Sequence, residues 1–494
     1  MVLLLKIEKR LWRELMDKVK LDTGYVAGSR ASQNGRDVYV FKGIPYAAPP
    51  IGELRWKPPQ PAAPWSGVRA CTEFSPQAAQ YPDPNGHGSM KSPSTSEDCL
   101  YLNVLTPTQK TSDKLPVMVW LHGGGLRYGN GNFALSINLG LPLHGVVQVN
   151  INHRLGVMGL FAHPLLTKES PQHASGNYMF LDMIAALQWV HRNIAAFGGD
   201  PGNVTIFGES GGGLKVATLM ATPLARGLFH RAIIESGGRY FDTVALKDME
   251  NFGEKLFHKL GVDKAKDPMA AVRKLSWETI INTDQALNVE MGPEYLFMGP
   301  WQVVHDGWFL PDTLVDMFLT GKRNQVPYLV VANKGELTGP GSLIADMMIK
   351  DYLRLLNGKS TEKSRGYAAV FDQVPEGWKR EGCVAAHGME LHYVFGAIDD
   401  KEAWAAAQPG YADSGARSPV PSISAADRQV AENILKIWTG FAKTGNPGVK
   451  GLVEWPAWDN KTDKYLLITD PLQIKTGYTD LLKIKPDTSR WTIH

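Results

Sequence analysis

Short runs of consecutive apolar residues recur along the chain, each bounded by glycine or polar residues. The clearest are Val117 to Leu121 (VMVWL), Val146 to Ile151 (VVQVNI), Val204 to Phe207 (VTIF), Ala232 to Glu235 (AIIE) and Tyr328 to Asn333 (YLVVAN). Strands that are apolar without alternation belong to sheets covered on both faces, and such sheets are mostly parallel. Between two of these runs the period changes. Leu181, Ile184, Leu187, Val190 and Ile194 recur at helical spacing, and GGDPGN (Gly198 to Asn203) stops the helix with glycine and proline. The pattern predicts an α/β protein whose large, mostly parallel central sheet is flanked by helices.

Two segments stand outside that alternation. Leu4, Leu11, Trp12, Leu15, Met16 and Val19 predict an N-terminal amphipathic helix over residues 1–20. It would dock on the domain, lie on a membrane surface or form a flap over a substrate mouth. Gln408 to Ser424 is rich in Pro, Gly, Ala and Ser and reads as a loop. A length of 494 residues would allow about three domains. No repeat or linker divides the chain, so residues 21–494 read as one catalytic domain with insertions.

Composition narrows the partners. With 44% hydrophobic and 20% charged residues the chain is globular. A net charge of +3 argues against nucleic acid or an anionic membrane. No apolar run approaches the ~18 residues of a bilayer span, so no transmembrane segment is expected. The apolar start ends at Leu5, short of a signal-peptide core. Cys71, Cys99 and Cys383 form neither a disulfide framework nor a metal-ligand spacing. So few cysteines point to a reducing, cytoplasmic location, with secretion the alternative if a signal peptide has been replaced.

The candidate chemistry centres on Gly208-Glu209-Ser210-Gly211-Gly212, which fits G-x-S-x-G between a predicted strand and a predicted helix. In that context the motif is a nucleophile elbow, with Gly208 and Gly212 required by the tight turn. A flexible glycine linker is the bland alternative. An acyl-transfer serine also needs donors for the oxyanion. Trp120 to Gly125 (WLHGGG) ends an earlier strand with three glycines, whose N–H groups can face a cavity unobstructed. Gly124, Gly125 and the N–H of Gly211 are the expected oxyanion hole, against the alternative of a plain strand-ending turn.

Together with EDCLYLNV (Glu97 to Val104), these motifs resemble the type-B carboxylesterase and cholinesterase family of α/β-hydrolases. The likeness runs from FKGIPYAAPPIGELRWKPPQP (Phe41 to Pro61) to WPAWD (Trp455 to Asp459). It implies the α/β-hydrolase fold and a triad in the order Ser, Glu, His. The acid is Glu336 in VVANKGEL, where Leu337 replaces the family's usual glycine. The base is His387 in AHGMELHYVFG, with His392 the nearest rival. Glu209 and Ser236 would support the triad, and the pairs Arg55–Glu97 and Arg154–Asp182 would brace the fold. Cys99 matches a family disulfide position, but the partner position falls on Ala78; a Cys71–Cys99 bridge stays open without support from the resemblance.

Three departures stand out. Glu336 lies 126 positions after Ser210, as the family implies, but His387 follows only 51 positions later. A reduced helical cap and a more open site are expected. Leu126 replaces an aromatic residue after HGGG and is followed by Arg127 and Tyr128, which should alter the pocket wall. Gly211 stands where relatives mostly carry alanine, so alanine should fit there.

The resemblance implies a serine carboxylesterase that hydrolyses small-molecule esters to acid and alcohol through an acyl-enzyme, with no metal or cofactor. An amidase or lactonase would use the same triad, and a non-catalytic adhesion relative would keep the fold alone. Homo-oligomerisation is left open.

Overall fold

Among the described residues, eleven strands form one sheet. In chain order they are β1 (Ser29–Gln33), β2 (Arg36–Pro45), β3 (Tyr101–Thr106), β4 (Leu115–Leu121), β5 (Val147–Ile151), β6 (Gly199–Glu209), β7 (Arg231–Glu235), β8 (Tyr328–Asn333), β9 (Gly366–Phe371), β10 (Lys464–Ile468) and β11 (Gln473–Thr476). Their spatial order is β11-β10-β9-β8-β7-β6-β4-β5-β3-β2-β1. From β10 to β5 every pairing is parallel; the antiparallel pairs lie at the two ends. This computed structural model describes residues 18–81, 94–237, 243–292, 295, 299–338, 358–359, 361–407 and 420–481.

All five predicted strands are present in that sheet. Their unbroken apolar character has a direct cause. Along β4, Val117, Val119 and Leu121 enter the core on one face, and Met118 and Trp120 enter a second core on the other. Neither face meets water, so neither phase of the strand is polar. β1 was not legible in this way, because its SRASQ residues are part-buried or exposed at the sheet edge.

Helices cover both faces. α1 (Tyr178–Asn193) runs on into a 3-10 turn (Ile194–Phe197), and Gly198 at φ 79° closes it where glycine was predicted to stop the helix. Ile184, Leu187, Val190 and Ile194 of the predicted stripe are buried in the first core and Leu181 packs partly buried against it, together with Met179, Phe180, Met183 and Trp189 on neighbouring faces. α2 (Gly211–Ala221) follows β6 and is buried along its whole length. α3 (Lys334–Thr338) is a single short helix after β8. α4 (Ala425–Thr444) covers the second core with Ile434, Trp438 and Phe441. Ser424 and Asp427 form its capping box, and Gly445 at φ 77° ends it. Among the described residues no helix is long and apolar enough to cross a membrane.

Several expectations meet the structure here. Of the predicted N-terminal helix, residues 1–17 lie outside those described. Val19–Lys20 form a strand against Tyr25 and Val26, because the Leu21 N–H donates to Gly24 O (2.8 Å) and closes a hairpin. The predicted loop lies outside the described residues from 408 to 419. Of the interval expected to hold a reduced cap, residues 337–386, positions 339–357 and 360 also lie outside. Of the described remainder, residues 361–386 form β9 and the short helix Glu376–Arg380. All three cysteines are free and buried, so Cys71 and Cys99 form no bridge.

Both bracing ion pairs are formed. Arg55 donates from Nε to Glu97 Oε1 (2.7 Å) and from Nη2 to Oε2 (2.5 Å). Arg154 donates to both oxygens of Asp182, from Nε (2.8 Å) and Nη2 (2.6 Å), and its backbone N–H adds a third bond (3.1 Å). Asp182 is fully buried, so removing one partner strands the other charge in the core. Asp182→Ala should therefore lower unfolding free energy by about 3–5 kcal/mol in a urea titration. Loss of the exposed Asp399–Arg428 pair should leave the transition unmoved.

Candidate active site

β6 ends at Glu209 and α2 begins at Gly211, leaving Ser210 alone to make the turn. It does so at φ 58°, ψ −123°, a conformation costing a non-glycine residue of order 1–3 kcal/mol. Its N–H is held by Glu235 O (2.9 Å), and its carbonyl receives the Leu214 N–H (3.2 Å). The turn presses directly on the end of β4. A Cβ on Gly208 would stand 2.6 Å from Leu121 O and 2.7 Å from the Gly212 carbonyl carbon, and one on Gly212 would overlap Leu121 O. Glycine at both positions is a steric requirement, as the elbow reading expects.

Gly211 behaves differently from expectation. A methyl group there would overlap the carbonyl oxygen of Gly125, so alanine does not fit. Gly124 and Gly125 have φ 88° and 62°, and this turn folds the loop back onto the start of α2. The residues after it also depart from the expected pocket wall. Leu126 is buried in the core, with its carbonyl accepting the Gly156 N–H (2.7 Å). Arg127 is buried over the Tyr81 ring at 4.0 Å. Among the described residues, the N–H groups of Gly124, Gly125 and Gly211 have no hydrogen-bond partner.

The expected acid, Glu336, stands on the first turn after β8. Glu336 Oε2 accepts from the Asn333 N–H (3.0 Å) and from Ser236 Oγ (3.0 Å), and Oε1 bonds His387 Nδ1. Asn333 reaches the base's segment through Nδ2, which donates to Ala386 O (2.6 Å) and to Glu390. Gly335 N–H donates to Ala385 O (2.9 Å). Leu337 in place of glycine therefore does not displace the carboxylate. His392, the rival base, is buried flat against Trp404 at 3.6 Å, and burial pushes it down to about 3. It is a core residue.

The structure thus joins Glu336 to His387 and places Ser236 on Glu336. It does not join His387 to Ser210. His387 Nε2 faces Glu209 Oε1 at 3.1 Å, and among the described residues no hydrogen bond links the ring to the serine hydroxyl. The ring is 45% exposed, so water reaches it from one side. A cavity of about 180 Å³ bordered by Trp56, Tyr178 and Trp308 contains none of the three residues.

Two further carboxyl groups, Glu235 and Glu390, are buried close by. Burial pushes Glu235 up to about 8, against the bond from Trp438 Nε1 (2.7 Å) and with help from Glu209. Burial also raises Glu390 well above the usual range, reinforced by Glu209, Glu235 and Glu336. For the half-exposed His387 ring, partial desolvation disfavours the imidazolium, but Glu209 and Glu336 outweigh it and raise the ring to about 10. Glu235 and Glu390 are not marked by the sequence, although both stand in the quoted AIIE and AHGMELHYVFG stretches. A lone glutamate in a motif carries no mark of its burial.

Three outcomes follow from this geometry. Gly211→Ala should cost about 1–3 kcal/mol by overpacking, seen in thermal melts, and reduce ester turnover at least about 10-fold as the loop is pushed away. The ascending limb of kcat/KM against pH should lie above the ordinary imidazole value of ~6.5, since only the neutral ring accepts a proton. Glu209→Gln removes one stabilising charge and should move that limb down by roughly one pH unit. A limb that stays in place would show that this carboxylate does not govern the base.

The family model for the carboxylesterase family matches residues 16–352 and 339–482. Liver carboxylesterase B-1 of Rattus norvegicus is 32% identical over 513 aligned residues, covering 90% of this chain and 89% of its own. Fumonisin B1 esterase of Sphingopyxis macrogoltabida is 31% identical, covering 89% and 85% respectively. Among solved structures, a PNB esterase superposes with a TM-score of 0.79 at 28% identity, covering 94% of this chain and 99% of its own. The fold, the elbow and these likenesses agree: the chain belongs to the carboxylesterase family and is a carboxylic ester hydrolase of the α/β-hydrolase fold.

Proposed function

We propose that Ser210, His387 and Glu336 carry the hydrolysis of small-molecule carboxylic esters, with the N–H groups of Gly124, Gly125 and Gly211 receiving the oxyanion. The observation that supports this most is the bond between Glu336 and His387 Nδ1, formed in the same site as a serine held at positive φ on a glycine-walled elbow. A carboxylate on Nδ1 fixes the tautomer that leaves Nε2 as the base. In the resting arrangement that nitrogen faces Glu209. Reaction requires the half-exposed ring to offer Nε2 to Ser210 Oγ instead, and catalytic hydrogen bonds often tighten only once substrate is bound.

Ser210 Oγ then attacks the ester carbonyl while His387 takes its proton. Negative charge forms on the carbonyl oxygen, where unpartnered backbone donors need no reorganisation to receive it. The alcohol leaves with the proton from His387, and water repeats the sequence on the acyl-enzyme. Glu336 stays ionised throughout and stabilises the imidazolium, held in place by Ser236 and Asn333. Glu209 adds a second anion beside the same ring. Nothing in the site favours the adhesion-module alternative.

A fluorophosphonate probe tests this reading. One equivalent should add to the peptide carrying Ser210 and abolish turnover of p-nitrophenyl esters. Ser210→Ala should neither label nor turn over, with a melting temperature close to that of the parent. Labelling at another serine, or activity retained by the alanine variant, would overturn the assignment.

A further inference from the structure

Lys215 stands one turn into α2, on the same helix face as Gly211 and Gly212. It is completely buried, and burial pushes its ammonium well below the usual lysine range. Among the described residues no carboxylate pairs with it. Its one hydrogen bond there runs from Nζ to the backbone oxygen of His122, at 2.8 Å. An amine in an apolar core is costly to keep, and a methionine would fill the same space without desolvation. What lysine adds is a donor for one carbonyl.

That carbonyl has a particular position. β4 ends at Leu121, and His122 is the residue from which the Gly123–Gly125 turn departs. A peptide unit is planar, with C=O and N–H on opposite sides. Holding His122 O therefore also holds the direction of the Gly123 N–H, and with it the first step of the turn. Glycines at φ 88° and 62° have no side chains to anchor them, so this turn depends on contacts from outside. The approach is close: a Cβ on Gly212 would stand 3.1 Å from the same oxygen.

Two imidazoles complete the surroundings. The rings of His122 and His153 stack in parallel planes at 4.6 Å, and each Nδ1 meets a backbone oxygen at 2.9 Å, of Gly123 and Arg154 respectively. Burial first, and then the charge of Lys215, keep both rings well below the ordinary imidazole range. Neither ring competes as a cation.

We propose that Lys215 is a positioning residue for the oxyanion hole: its Nζ pins the His122 carbonyl and so sets the orientation of the Gly123–Gly125 turn. The inference rests on the assignment of the oxyanion donors to Gly124, Gly125 and Gly211.

Lys215→Met, which keeps the volume and removes the donor, tests it. Active sites are counted with a fluorophosphonate, so that unfolded protein does not enter kcat. The expected result is a kcat lower by about 10- to 100-fold with KM within about 3-fold. An alkyl trifluoromethyl ketone, whose carbonyl carbon bonds Ser210 Oγ while its oxygen becomes an oxyanion and the serine proton passes to His387, should bind more weakly by a similar factor. Lys215→Gln restores N–H donors and should recover part of both losses; it also carries the test if the methionine variant does not fold. Unchanged kcat and ketone affinity, or a loss confined to KM, would overturn the role of Lys215. If the parent enzyme itself forms no hemiketal with the ketone, the underlying assignment of the site fails instead.

Discussion

The site depends on one close approach, where the turn from β6 into α2 meets the end of β4. Gly208 and Gly212 press on Leu121 O, and Gly211 presses on Gly125 O. No side chain fits between these backbones, so both the serine turn and the glycine loop are shaped by contact between main chains. The same proximity lets Lys215 reach the carbonyl of His122. The strain at Ser210 persists because α2 is buried along its whole length and cannot relax away from the sheet.

Around that contact the charges are sorted by sign. Lys215 lies on the side of the glycine loop, with two neutral histidines. The Glu209 and Glu336 carboxylates flank His387 on the other side. During acyl transfer negative charge develops at the carbonyl oxygen and positive charge on the imidazole. A donor-rich side and an anionic side therefore each oppose the charge that forms next to them, and they act more on the transition state than on the neutral ester. The anionic side has a consequence in the resting state, because it holds the imidazolium against Glu209 and raises the pH at which a neutral base is present.

Much of this was legible before the fold was seen. Ser210 could be read because glycines at fixed offsets between a strand and a helix mark a turn too tight for side chains on either side of the exposed residue. Glu336 and His387 depended on the family motif, and the bond between them justifies reading past Leu337. Gly211 misled because its neighbour across the turn, Gly125, is 86 positions away in the sequence, and nothing local reports where that carbonyl points.

The sequence by itself determined the five central strands, their two-faced burial and the tight glycine turn around Ser210. These follow from local periodicity and local sterics, which are written in adjacent residues. Only the tertiary structure decided that a lysine serves a backbone carbonyl, that Glu209 and Glu336 share one histidine, and that the resting ring faces Glu209 rather than Ser210. Each of those depends on distances between segments far apart in the chain, and on the loss of water around them, which turns ordinary residues into strong and specific partners.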